Sequence, residues 1–142
     1  MISRASEYAI KAMIRIAYSS QLGERIGIKD IAKAIDSPEA FTGKILQQLS
    51  RNNIVSSIKG PSGGFWMSED QRDRITIRSI VEVIDSDKIY TKCCLGLRDC
   101  NNQQPCPIHT EYAKIRGALS KLHSNTYIEE LAKKLDDNAS LI

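Results

Sequence analysis

Residues 28–67 carry four signals in a fixed order: a short helical pattern, a break, a longer helical pattern, and two β-type runs around a glycine-rich loop. Ile28, Ile31, Ala32 and Ile35 stand at i, i+3, i+4 and i+7, one apolar face of a short helix. Asp36 and Ser37 interrupt it. Ser37-Pro38 then predicts a restart, with serine capping the first-turn amides and proline at the first helical position, where its missing N–H costs nothing. The helix over Pro38–Asn52 is expected to bury Phe41, Ile45, Leu46 and Leu49 and to present Glu39, Lys44, Gln47, Gln48 and Arg51. The runs Ile54–Ile58 and Phe65–Met67 flank Lys59-Gly60-Pro61-Ser62-Gly63-Gly64, which predicts a hairpin. This order constrains the chain to a mainly α fold with a small β-hairpin wing: a winged helix-turn-helix.

The flanking segments extend that plan. Ala9, Ile10, Met13, Ile14, Ile16 and Ala17 form the stripe of an opening helix. Glu69–Arg74 reads as a charged connector, after which Thr76 caps a helix bearing Ile77, Ile80, Val81 and Ile84. Ser86–Pro107 has neither helical nor strand period. Ile108, Tyr112, Ile115, Leu119 and Leu122 then follow a heptad seam, the pattern of a long dimerisation helix; packing within one subunit is the alternative. Thr126 and Glu129 match a capping box before a last helix burying Ile128, Leu131, Ala132 and Leu135, and the tail from Asp136 is expected to fray. The expected organisation is 1–85 for DNA binding, 86–107 for a cysteine loop, and 108–142 for the dimerisation and C-terminal helices.

The net charge of +3 names no partner, but residues 1–60 hold nine basic and five acidic side chains while the rest is close to neutral. A basic front half and a polar-faced second helix of a helix-turn-helix point to double-stranded DNA rather than to a protein partner. The expected DNA-reading residues are Ser37, Glu39, Ala40, Gly43, Lys44 and Gln47, with Lys59 and Gly60 in the wing. Gly43 is unusual, because glycine inside a helix costs about 1 kcal/mol against alanine. Close approach to DNA or tight packing on another helix would explain it. No apolar run approaches the ~20 residues of a membrane span, and the opening lacks a secretory pattern. The expectation is a soluble, cytoplasmic chain with no membrane partner.

All four cysteines fall between Cys93 and Cys106. A disulfide framework would spread them through the chain, so the cluster points to metal or redox chemistry. Cys94, Cys100 and Cys106 are spaced C-x5-C-x5-C, and His109 follows after Pro107 and Ile108. Three thiolates and an imidazole make a four-ligand set, and Lys92 and Arg98 are expected to favour thiolates. The wide spacing suits an iron–sulfur cluster first. A metal-free thiol switch through Cys93 or Cys94 comes next, and zinc, which prefers C-x2–4-C, last. His123 reads as an exposed helix residue. No catalytic dyad or substrate-pocket motif occurs, so no enzyme is expected.

Arg4–Met13, the wing stretch Val55–Phe65 and the loop Cys94…Cys100…Cys106-Pro107-Ile108-His109 together resemble the Rrf-two family of bacterial winged-helix transcription regulators, in its IscR/NsrR-like iron–sulfur branch. The resemblance covers nearly the whole chain. It implies a homodimer on a near-palindromic promoter site, acting as a repressor, with a cluster that senses iron–sulfur status, redox state or nitric oxide. It further implies ligation by Cys94, Cys100, Cys106 and His109 and a 2Fe-2S rather than a 4Fe-4S cluster. Glu7 of the partner subunit and the extra Cys93 are the rivals for the fourth ligand. Two other readings stay open: a cluster-free repressor using thiols or a small effector, and a small iron–sulfur carrier or enzyme subunit.

Overall fold

The computed structural model describes residues 1–138, with side chains described through Leu135. Ser3 opens helix α1 (Arg4–Gln21) in extended conformation, its hydroxyl accepting from the Ser6 N–H at 3.1 Å. The face of α1 carrying Ala9, Ala12, Met13, Ile16 and Ala17 is sealed from solvent. α1 is the central strut against which α2 (Ile28–Ala34), α3 (Glu39–Arg51), α5 (Ile77–Asp85) and α8 (Ile128–Asn138) pack. Met13, Ile16, Ile31, Ile35, Leu46, Leu49, Ile80 and Ile128 are the large side chains of that core. Each such burial contributes about 1.5–3 kcal/mol.

The wing is the antiparallel pair β1 (Ser56–Ile58) and β2 (Gly64–Trp66), with Ser57 opposite Phe65. Ile26, in the loop before α2, adds a third rung. Its N–H donates to the Phe65 carbonyl at 3.1 Å, and the Phe65 N–H returns to Ile26 at 2.8 Å. This rung explains one glycine and the hairpin turn another. A Cβ on Gly64, at φ +144°, would stand 2.9 Å from the Ile26 oxygen, and one on Gly63 would stand 2.1 Å from the Ile58 oxygen.

Several expectations are corrected here. Pro38, extended at ψ 132°, is the cap residue of α3, so the helix starts one residue late. Ser37 does not cap an amide; its hydroxyl pairs with that of Thr42. Thr42 takes the buried position assigned to Phe41, and Phe41 lies exposed with its ring edge against Tyr8 at 5.7 Å. The connector Glu69–Arg74 is a helix, α4, because Ser68 and Gln71 exchange capping bonds at 3.2 and 2.9 Å. Thr76 caps α5 as expected. One helical turn, α6 (Lys88–Thr91), interrupts the segment read as irregular.

α7 (His109–Asn125) follows the cysteine loop and packs on α5 and α6. Along its expected seam, Ile108, Ile115 and Leu122 are exposed, while Tyr112 and Leu119 are half-buried. His123 is the reverse of the expectation, 9% exposed and bonded through Nδ1 to the Tyr90 hydroxyl at 2.7 Å. The capping box at Thr126 is not made, since its hydroxyl donates back to Leu122 at 2.7 Å. Pairing of residues 75–77 with 126–128 instead turns the chain, sending α8 back onto α1. α8 runs to Asn138, so the fraying expected of the tail beyond that point lies outside the described residues. Among the described residues, no helix is long and apolar enough to cross a membrane.

Candidate nucleic-acid interface and thiol cluster

The polar face of α3 and the wing enclose a cleft of about 880 Å³. Glu39, Gly43 and Gln47, spaced four apart on α3, line one wall; Lys59 and Gly60 line the other. Ala40 and Lys44 are exposed on α3 outside this lining, and Ser37 lies half-buried behind the helix start. Lys29 and Arg51 also line the cleft. Arg51 stands on the polar face expected of α3, whereas Lys29 joins the site only through the packing of α2 on α3, and its one sign in the sequence is the basic surplus of the first 60 residues.

The geometry separates the two explanations for Gly43. A Cβ there would meet only Ile28 Cδ1, at an ordinary 3.8 Å. Internal packing therefore does not demand glycine, and what its absent side chain keeps open is the floor of the cleft. Gly63 and Gly64, by contrast, are required by the hairpin itself, while Gly60 at φ +109° has open space around it.

The second site is the loop between α6 and α7. It curls through turns closed by Gly96 N–H to Cys93 at 3.0 Å and His109 N–H to Cys106 at 3.0 Å. The Asn101 side-chain oxygen accepts from Gln103 and Gln104 at 2.8 and 3.0 Å, a side-chain turn that asparagine supplies readily. The loop brings the sulfurs of Cys93, Cys100 and Cys106 within 4.8 Å of one another. Cys93 and Cys106 are 3.7 Å apart, and His109 Nδ1 is 3.2 Å from Cys100. The other ring nitrogen of His109 lies 3.0 Å from the Asn102 side-chain oxygen, which orients the imidazole.

Of the predicted ligands, Cys100, Cys106 and His109 thus converge. Cys94 is exposed and outside the group, and its neighbour Cys93 fills the place expected for it, because the Cys93–Gly96 turn directs that sulfur inward. Glu7 is exposed on α1, away from the thiols of its own chain. The Cys93 thiol is lowered to about 7, first by the Leu97 N–H and then by the Leu95 N–H, against a burial effect, with Cys100 and Cys106 helping. Cys100 accepts from the Cys106 N–H, yet desolvation and the two neighbouring sulfurs push it up. Backbone amides, rather than the expected Lys92 and Arg98, favour the thiolate. Three converging sulfurs and an imidazole make a donor set that a thiophilic metal or an iron–sulfur cluster fits.

Comparison with known proteins shows what the chain as a whole is similar to. The family described as "Rrf2: Iron-dependent Transcriptional regulator" matches residues 2–134. A provisionally named HTH-type transcriptional regulator of Aquifex aeolicus is 30% identical over 84% of this chain and 85% of its own length. The HTH-type regulator IscR of Photobacterium profundum is 27% identical over 99% of this chain and 79% of its length. Among solved structures, CymR, the global cysteine regulator of B. subtilis, superposes with a TM-score of 0.77 at 25% identity, covering 94% of this chain and 97% of that one. T. potens IscR follows with a TM-score of 0.71 at 16% identity, covering 97% and 90%.

Proposed function

The chain belongs to the Rrf2 family of DNA-binding transcriptional regulators, which are not enzymes, and from that premise we propose that it is a cytoplasmic, homodimeric repressor whose thiol loop holds an iron–sulfur cluster. The observation that carries this reading is the convergence of three sulfurs within 4.8 Å with His109 Nδ1 beside them. Cys100, Cys106 and His109 would hold the cluster, with the third sulfur from the Cys93-Cys94 pair. Cys93 is the member already turned inward, and Cys94 is the one at the five-residue spacing. A 2Fe-2S cluster suits a Cys3His set, and a bound cluster supplies iron open to oxidation, loss or nitric oxide. The wider alternative of a carrier or enzyme subunit is set aside by the family itself.

The chain's own residues do the rest. The exposed Ile108, Ile115 and Leu122 on α7 provide an apolar seam for a second copy. Two α3 helices so paired would enter successive major grooves about 34 Å apart, on a near-palindromic promoter site. Glu39 and Gln47 face base edges, while Lys29, Lys44, Arg51 and Lys59 meet phosphates. A change in the loop alters affinity only through contacts that differ between its states.

One observation favours a second reading, a metal-free switch. Cys93 and Cys106 lie 3.7 Å apart, and CymR carries the description of a cysteine regulator. A low-molecular-weight disulfide would oxidise this pair to a protein disulfide and leave as two thiols. Anaerobic reconstitution with ferrous iron and sulfide separates the readings. Visible absorbance with stoichiometric iron and sulfide, lost in Cys100→Ala, supports the cluster; a colourless protein whose promoter binding responds to glutathione disulfide supports the switch.

A further inference from the structure

A polar junction joins the thiol loop to the helical body. α6 ends at the residue before Lys92, and the Lys92 carbonyl leads directly into Cys93. Arg116 of α7 donates through one nitrogen, Nη1, to the Thr91 carbonyl at 3.1 Å and the Lys92 carbonyl at 2.7 Å. These oxygens belong to a helix end, where carbonyls lack partners and carry partial negative charge. Two turns further along α7, His123 holds the buried Tyr90 of the same α6 by hydroxyl and by an edge-to-face ring contact at 5.7 Å.

The junction also reaches α5. Arg78 lies 4.6 Å from the Tyr90 ring centroid, pairs with Glu82 at 2.6 Å, and donates to Ser120 of α7. α5 packs on α1 and on the DNA-facing helix α3. Burial raises Tyr90 to about 12 and lowers His123, so their bond joins two neutral groups at neutral pH. It is a strut rather than a proton switch.

Resting on the reading that the loop's state governs DNA binding, we propose that Arg116 is a positioning residue that couples the thiol loop to α7, with Tyr90–His123 as the second tie to the same helix. A movement of the loop that displaces the Lys92 carbonyl must either carry Arg116, and with it α7, or break two hydrogen bonds. Without the guanidinium, water would satisfy both carbonyls and the loop would move independently of the helix.

The test uses the full chain and the variants Arg116→Met, Arg116→Lys and Tyr90→Phe. In reduced, metal-free protein, the rate of iodoacetamide modification at Cys93 is mapped by mass spectrometry. In parallel, affinity for the protein's own promoter fragment is compared between cluster-reconstituted and thiol-blocked forms. Arg116→Met is expected to speed Cys93 alkylation several-fold and to bring the affinity ratio towards one, with cluster absorbance kept. Arg116→Lys should restore both, since one nitrogen bridges both carbonyls, and Tyr90→Phe should act in the same direction more weakly. Wild-type alkylation and an unchanged ratio in Arg116→Met would overturn the proposal. A ratio of one in the wild type would defeat the proposed function instead, and the alkylation rates would still decide whether Arg116 positions the loop. Should Arg116→Met not fold, amide exchange over residues 88–94 in Tyr90→Phe decides: faster exchange than wild type is expected, and equal exchange overturns the proposal.

Discussion

The wing and the thiol loop both leave the helical body, and they are held there by different forces. The wing is closed by a backbone ladder that includes Ile26, and its flanks Ile54, Val55 and Met67 are anchored in the core. Residues 91–108 contain no buried side chain, and Leu95 and Leu97 lie exposed. Turns, two asparagine side chains and contacts among sulfurs and an imidazole give that loop its shape. A segment held by apolar burial is indifferent to redox chemistry. A segment held by groups that ionise, oxidise and bind metal changes when they do, and the proposed division between a DNA-holding wing and a sensing loop draws on this difference.

The comparison is broken most easily by leucine truncation. Leu46→Ala, on the buried face of α3, is expected to cost about 2–5 kcal/mol in a denaturant titration. Leu97→Ala, exposed in the loop, should stay within about 0.5 kcal/mol of wild type. Similar losses in both would mean that the loop is a packed element after all.

A second variant tests a polar tie within the helical body. Asp85 closes α5 by accepting from the Ser3 N–H at 2.9 Å, the Ser3 hydroxyl at 2.5 Å and the Ser6 hydroxyl at 2.8 Å. Burial would raise this carboxyl, but the three bonds outweigh it and hold Asp85 below its ordinary 3.8. Asp85→Ala is expected to cost about 1–3 kcal/mol. The stabilisation is complete above the ordinary carboxylate value and is lost as pH falls through the lowered folded value. Asp85→Asn should therefore flatten the acid limb of a stability–pH curve.

Gly43→Ala sharpens the contrast within the DNA-facing half. With only Ile28 Cδ1 at 3.8 Å to meet, the added methyl should raise stability by about 0.5–1 kcal/mol. Promoter affinity should fall nonetheless, because the methyl enters the cleft floor; unchanged affinity would take Gly43 out of the interface. The smallest effect is expected from Lys59→Ala, which should lower the salt dependence of promoter binding by about one counterion without changing sequence preference.

The order of elements was readable because burial enforces it. The stripes of α1 and α2, the Ile45, Leu46 and Leu49 positions of α3 and the Thr76 cap each follow from spacing that only one backbone satisfies, whereas Phe41 yields its buried place to Thr42. The errors fell where a polar side chain chose between partners. Ser37 bonds to Thr42 rather than to an amide, Thr126 bonds back to Leu122, and Gln71 turns a charged connector into a helix. His123 looked exposed because its partner Tyr90 is 33 residues away in a segment without period. In the loop, the sequence named the donor chemistry, but which of two adjacent sulfurs turns inward depends on the Cys93–Gly96 turn.

If the loop's thiols control the DNA-binding face, promoter affinity measured on anaerobically reconstituted protein must change when the cluster is removed. A change of several-fold that disappears in Cys100→Ala is predicted. Equal affinity in both states, in protein verified to have bound iron and sulfide, would contradict it.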